Sequence, residues 1–222
     1  MKKLLTIAML CASALAANAQ TEKGKFILGG TIGYSSTKSE TVQYNNKRTN
    51  LDLLPSAGYF VSENLALGLG IGYSRNINNI TYNSEPAVHY AYYNRKETTD
   101  YFMISPFIRH YVNISDKFKF FSQLSVPMKW GNIKSEDGGN NPAADVISDS
   151  KSKTTSIGVG IEPGLAYFPT KKIGIQLSIG GISYAWNKTR DEAGSFNNEM
   201  KAHAFNLGTN FLAPRIGVQF YF

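Results

Sequence analysis

The sequence predicts an all-β fold, a transmembrane antiparallel up-and-down β-barrel of eight strands preceded by a cleaved signal peptide. Three observations carry this. The first residues follow the three-part pattern of an export signal. Eight segments of roughly ten residues alternate apolar and polar side chains with a period of two. The connections between those segments alternate short and long.

The export signal comes first in the chain. Lys2 and Lys3 form a positive start, Leu4 to Ala16 is an uncharged apolar run, and Ala17-Asn18-Ala19 supplies small residues at −3 and −1, with Gln20 as the new N-terminus. The run of 13 residues is shorter than the roughly 20 that a membrane-spanning helix needs. The expected division is a signal peptide over 1–19 and a barrel over 20–222. Removing those 19 residues from the 222 leaves 203, enough for one domain. Cys11 is the sole cysteine and lies inside the apolar run, after Leu10, so it does not match a lipoprotein signal. The mature chain then has no disulfide, thiolate metal site or cysteine nucleophile.

Strands follow in order. Phe26, Leu28, Gly30, Ile32 and Tyr34 oppose Gly29, Thr31, Gly33 and Ser35. Leu51, Leu53, Pro55, Ala57 and Tyr59 oppose Asn50, Asp52, Ser56 and Gly58. Leu65, Leu67, Leu69, Ile71 and Tyr73 oppose Ala66, Gly68, Gly70, Gly72 and Ser74. Phe102, Ile104, Pro106 and Ile108 oppose Ser105 and Arg109. Phe118, Phe120, Leu124, Val126, Met128 and Trp130 oppose Lys119, Gln123, Ser125 and Lys129. Ile157, Val159, Ile161, Leu165 and Tyr167 oppose Ser156, Gly158, Gly160, Glu162 and Gly164. Ile173, Ile175, Leu177 and Ile179 oppose Gly174, Gln176 and Ser178. The eighth strand runs from about Phe205 to Phe222, with a slip in alternation at Asn210 to Ala213 that suggests a bulge.

Connections at Ser62-Glu63-Asn64, Asn113 to Lys117 and Pro169 to Lys172 are short. Those at Ser36 to Arg48, Arg75 to Thr99, Asn132 to Lys153 and Asn187 to Lys201 are long. Outer-membrane barrels keep short turns in the periplasm and long loops outside, so both termini are expected on the periplasmic side. The second long connection has room for one more hairpin, which would make ten strands. The apolar rows are assigned outward to lipid and the Gly and polar rows inward, because the reverse would put Glu162 against hydrocarbon. Tyr and Trp at both strand ends fit interfacial girdles, as do the 13 Tyr and 13 Phe, while the 20 Gly suit a tight interior. Inward charges are Asp52, Arg109, Lys119, Lys129, Glu162 and Arg215. Of these, Asp52, Arg109, Lys129, Glu162 and Arg215 are expected to form an interior network around Glu162.

Composition excludes other classes. The formal charge of +7 falls to +5 without Lys2 and Lys3, and the surplus is scattered, unlike a nucleic-acid patch. The mature chain has no apolar stretch long enough for a helical span. His89, His110 and His203 lack metal spacing, and Gly68-Leu69-Gly70-Ile71-Gly72 is not a nucleotide fingerprint, because no helix follows. Glu136, Asp137, Asp145 and Asp149 do not follow calcium-loop spacing. No catalytic group, cofactor or metal is expected.

Three pieces carry a resemblance: Gly58-Tyr59-Phe60-Val61-Ser62-Glu63-Asn64-Leu65-Ala66-Leu67-Gly68, Ile104-Ser105-Pro106-Phe107-Ile108-Arg109-His110-Tyr111, and the terminal strand ending on Phe222. The chain resembles the OmpX/OmpA-like group of eight-stranded outer-membrane barrels, as a bare barrel without a peptidoglycan-binding domain. The resemblance implies an outer-membrane location, with Phe220 and Phe222 as an assembly signal read by the barrel-assembly machinery. It also implies contact with outer-membrane lipid and lipopolysaccharide, and a monomer. The expected function is non-enzymatic: a structural or surface-binding, adhesion-type role through four long loops, with Tyr82, Tyr90, Tyr92 and Tyr93 meeting a host or cell-surface ligand. A small-solute channel and a lipid A-modifying enzyme are the alternatives.

Overall fold

A computed structural model describes residues 21–82, 93–139, 150–191, 199–208 and 214–222. The signal peptide, Cys11, His89, Tyr90, Tyr92, Asp145, Asp149 and the expected bulge at Asn210 to Ala213 lie outside the described residues. The strands are β1 (Phe26–Glu40), β2 (Tyr44–Ser62), β3 (Leu65–Tyr82), β4 (Tyr93–Asn113), β5 (Phe118–Ser125), β6 (Met128–Gly139), β7 (Ser150–Tyr167), β8 (Ile173–Ser178), β9 (Ile182–Asp191), β10 (Glu199–Leu207) and β11 (Arg215–Tyr221).

All pairings are antiparallel. β1 pairs with β2, β2 with β3, and β3 with β4. The turn-side half of β4 meets β5 and its loop-side half meets β6, and β5 and β6 divide β7 between them in the same way. β7 continues to β8 and β9, β9 to β10, β8 to β11, and β11 returns to β1. The circuit of hydrogen bonds therefore closes on itself. The break between β5 and β6 falls at Pro127, which has no N–H to give the ladder. The neighbouring Val126 amide turns instead to the Pro106 carbonyl at 3.0 Å.

Tight turns have a local cause. Asn64, between β2 and β3, has φ of 61°, a left-handed conformation that Asn tolerates better than most side chains. Its amide donates to the Thr21 carbonyl at 2.8 Å and its carbonyl accepts from the Tyr111 amide at 2.8 Å, so the turn ties the N-terminal segment to β4.

Side-chain parity follows the expected assignment. Leu67, Leu69 and Ile71 are 44%, 44% and 49% exposed, whereas Ala66, of the opposite parity, is fully buried. The outward rows are mostly apolar near the turns, among them Ile157, Val159 and Ile161 on β7 and Ile216, Val218 and Phe220 on β11, with His110 on β4 and Ser122 on β5 as polar members.

The long loops are a correction. Ser36 to Arg48 is mostly strand, with β1 and β2 paired to Glu40 and Asn45. Arg75 to Thr99 is strand to Tyr82 and again from Tyr93, paired residue for residue, so Tyr82 and Tyr93 stand on strands and no extra hairpin occurs among the described residues. Asn132 to Lys153 and Asn187 to Lys201 likewise open with strand and close with strand. β2, β3, β4 and β7 have 19, 18, 21 and 18 residues, against the roughly 9–11 that cross a bilayer. Beyond the membrane both faces of a strand are wet, so the period of two disappears from the sequence while the backbone ladder continues.

Candidate functional site

The interior is filled in layers. Nearest the short turns, the Lys119 ammonium donates to Thr21 Oγ1 at 2.6 Å and lies over the Phe168 ring, while Thr21 Oγ1 donates to Asn64 Oδ1 at 2.6 Å. Above this floor sits an aromatic layer of Phe60, Tyr111, Phe121, Phe168 and Tyr221, each 0–1% exposed. Their centroids lie 5.1 to 6.2 Å apart, within the range in which tilted rings attract. The hydroxyls of Tyr111 and Tyr221 meet at 3.0 Å.

Glycines make room for these rings on neighbouring strands. A Cβ on Gly164 would run into the Phe121 ring, its register partner on β5, and a Cβ on Gly68 would run into Phe107 on β4. The Gly rows thus accommodate a neighbour in the sheet.

Arg109 caps the aromatic layer and is 4% exposed. Its guanidinium lies 4.7 Å from the centroid of Phe121 and 5.3 Å from that of Phe107. Nε and Nη2 donate to Gln123 Oε1 at 2.8 and 2.5 Å, and Nη1 donates to Gln176 Oε1 at 2.8 Å and to the Tyr111 hydroxyl at 3.1 Å. The fork is satisfied by neutral acceptors and by ring faces, with no carboxylate among its described partners. Gln219, 1% exposed in the same region, has neither amide atom paired within the protein. An amide buried in that way calls for water.

The remaining charges meet one level further out. Arg215 Nη1 donates to Glu162 Oε1 at 2.5 Å. Asp52, Lys129, Glu162 and Arg215 line one cavity of about 80 Å³, whose far wall is Arg109. All five residues expected in a network therefore line this chamber, which holds the Glu162–Arg215 pair. Arg109 borders that chamber but directs its hydrogen bonds to the layer below. Outside the chamber, a mouth of about 850 Å³ opens between Gly33 and Asp52 on one wall and Glu162, Ser183 and Asn206 on the other.

Parity could have found most of what the sequence reading missed. Phe121 shares the inward row with Lys119 and Gln123, and Phe107 shares one with Arg109. Phe60 shares one with Asp52, Ser56 and Gly58, and Phe168 stands in step with Glu162 and Gly164, so the same parity marks them.

At the loop side, Tyr73 donates to Asp100, which also accepts from Arg75 Nε at 2.6 Å and Nη2 at 3.1 Å. The Arg75 guanidinium is the first cause that holds the Asp100 carboxyl below the usual carboxylate range. Tyr82 pairs its ring with Tyr44 at 6.3 Å. At the turn side, Phe26 and Phe222 exchange backbone hydrogen bonds of 2.6 and 3.0 Å, which seats the last residue, and Phe220 faces outward at 38% exposure. Among the described residues no group of three His, Cys, Asp or Glu is placed to hold a metal ion.

No curated protein matches the sequence. The family model described as outer membrane protein beta-barrel domain matches residues 4–211. Among solved structures, a major outer membrane protein from Thermus thermophilus is 11% identical over 90% of this chain and 99% of its own, with a TM-score of 0.49. Neisserial surface protein A is 18% identical over 90% of this chain and 98% of its own, with a TM-score of 0.40. Ail, the attachment invasion locus protein of Yersinia pestis, crystallised with the heparin analogue sucrose octasulfate, is 12% identical over 91% of this chain and 99% of its own, with a TM-score of 0.30.

Proposed function

This chain belongs to the outer membrane protein β-barrel domain family, and from that premise we propose that it is a non-enzymatic surface barrel whose sealed interior leaves its work to the strands beyond the membrane. The observation that carries this is the layer of Phe60, Tyr111, Phe121, Phe168 and Tyr221 capped by Arg109, since buried rings leave no path for a hydrated solute. A channel reading is disfavoured by the same layer.

The chain runs eight times along the wall on this reading, because β5 and β6 share one course, as do β8 and β9, and β10 and β11. Residues 1–19 are removed on export. The connections at Glu63-Asn64, Ile114 to Lys117 and Phe168 to Lys172 then face the periplasm together with both termini, with Phe220 and Phe222 presented to the assembly machinery. Tyr82 ends β3 and Tyr93 opens β4, Tyr90 and Tyr92 fall between them in sequence, and tyrosines of this kind suit a host or cell-surface ligand. The barrel works as a monomer in a lipopolysaccharide-bearing membrane.

Planar-bilayer recording of the purified, refolded barrel is expected to give no discrete current steps. Reproducible steps in the conductance range of a porin would overturn the sealed-lumen reading. Cells carrying a chain shortened across 77–97 are expected to lose surface attachment while the barrel still assembles. Unchanged attachment would remove the tyrosine hairpin from the account.

A further inference from the structure

The chamber above the aromatic layer divides into a collar and a cup. Asp52, Glu162 and Arg215 line both the chamber and the wider mouth outside it, so they form the collar. Arg109 and Lys129 line the chamber but not the mouth, and no carboxylate among the described residues does the same. Collar and cup together hold three cations, Arg109, Lys129 and Arg215, against two carboxylates, Asp52 and Glu162, which leaves one positive charge over.

Hydrogen-bond donors are left over as well. An ammonium has three N–H donors. That of Lys129 lies over the Tyr101 ring at 5.9 Å and donates to no oxygen among the described residues, and Asp52 and Glu162 act on it only through space. A guanidinium has five N–H donors. Arg109 uses four, two on Gln123, one on Gln176 and one on Tyr111, so one Nη2 hydrogen remains. Ser105 on β4, Ser125 on β5 and Ser178 on β8 also line the cup. They are 4%, 7% and 5% exposed, and none of the three hydroxyls bonds a described group. The neighbouring amide oxygens of Gln123 and Gln176 are already taken by Arg109. Buried donors without acceptors are costly, and more so beside a charge in a poorly polarisable interior.

We propose that this cup binds one small monovalent anion of halide size, which accepts from Lys129 Nζ and from the hydroxyls of Ser105, Ser125 and Ser178. One negative charge brings three cations and two carboxylates to neutrality, and a dianion overshoots. Water alone serves the hydroxyls but leaves the charge unmatched. The chamber of about 80 Å³ exceeds the roughly 10–15 Å³ that a single water requires, so a halide fits with water beside it. Entry is from the mouth, past the Asp52 and Glu162 carboxylates, which repel an anion in passage and make exchange slow. The site lies inside the wall, so it stands independently of what the strands beyond the membrane bind.

The mature chain, refolded in detergent, is unfolded in urea over a wide range of chloride, with gluconate holding the ionic strength constant. Above the dissociation constant, the unfolding equilibrium constant is expected to fall about tenfold for each tenfold rise in chloride, the mark of one site on the folded chain. Crystals grown in bromide are expected to show anomalous density in the chamber, within hydrogen-bond reach of Lys129 Nζ. Lys129→Met is expected to abolish the chloride dependence. Ser105→Ala with Ser125→Ala, which keeps every charge, is expected to weaken halide binding about tenfold or more and stands in if Lys129→Met does not refold. Lys119→Met, on the far side of the aromatic layer, is expected to leave the dependence unchanged. A stability that ignores chloride, or bromide found on the outer surface alone, overturns the proposal. So does an undiminished chloride dependence in Lys129→Met or in the double serine variant, or sulfate acting as chloride does.

Discussion

At the scale of single residues, the interior shows two ways of housing a cation. Arg109 is surrounded by ring faces and neutral amide oxygens, so its charge is met by quadrupoles and dipoles. Replacing it with Met keeps the stem but leaves Gln123 and Gln176 without their donor. The expected loss is about 2–4 kcal/mol, read as a shift in the urea midpoint of the refolded barrel. A shift below about 0.5 kcal/mol would mean that the amides find water instead. Arg215 and Glu162 form an ion pair in a chamber that water reaches, so their coupling is weaker. Glu162→Gln and Arg215→Gln are each expected to cost about 1–2 kcal/mol, and the double variant less than their sum, as a double-mutant cycle would measure. Additive losses would show that the 2.5 Å contact contributes nothing beyond its two separate members.

At the scale of elements, the β9–β10 hairpin shows how charge fastens strands where no apolar face helps. The hydrogen bond from Lys188 is the first cause that lowers the Glu199 carboxyl from its ordinary 4.5 to about 2, followed by those from Arg190 and Lys201, against the opposing effect of desolvation. Because the folded value lies below the unfolded one, the contribution is complete above about pH 4.5 and is lost as the pH falls towards 2. A carbon-detected NMR titration of Glu199 in detergent is expected to find its midpoint at least about one unit below that of a free glutamate. A normal midpoint would mean that the three cations are engaged elsewhere. The same logic separates the two halves of each long strand: turn-side halves are held by outward apolar rows and inward rings, loop-side halves by backbone ladders and surface ion pairs.

At the scale of the whole molecule, the aromatic belt fixes how the barrel sits. Trp130 and Trp186 are the two tryptophans of the chain, both on outward rows at the level where β6 and β9 leave the apolar band. Lipids brominated near the headgroup are expected to quench their fluorescence more than lipids brominated near the chain end. The reverse order would move the membrane level away from the two tryptophans. Buried rings inside and an aromatic belt outside describe one half of the barrel, and charged strands that continue past the belt describe the other.

Much of this was legible in residue order. Period-two alternation from Phe26 to Phe222 specifies strands, and the purity of rows such as Leu65, Leu67, Leu69 and Ile71 specifies which face meets lipid. Both are local properties, because a strand turns its side chains over at each residue whatever lies beside it. The inward placement of Asp52, Lys129, Glu162 and Arg215 follows from the same parity. Register was not legible, because it depends on which residue of one strand faces which of the next. Register decides that Gly164 receives the Phe121 ring, that Arg109 turns to Gln123 and Gln176 while Arg215 takes Glu162, and that Lys188 faces Lys201. Residue order by itself determined an all-β chain with an apolar exterior and a charged interior. Only the tertiary structure decided which charges meet, where buried rings fill the interior, and how far the strands continue past the apolar band, since each of these depends on pairing between residues distant in sequence.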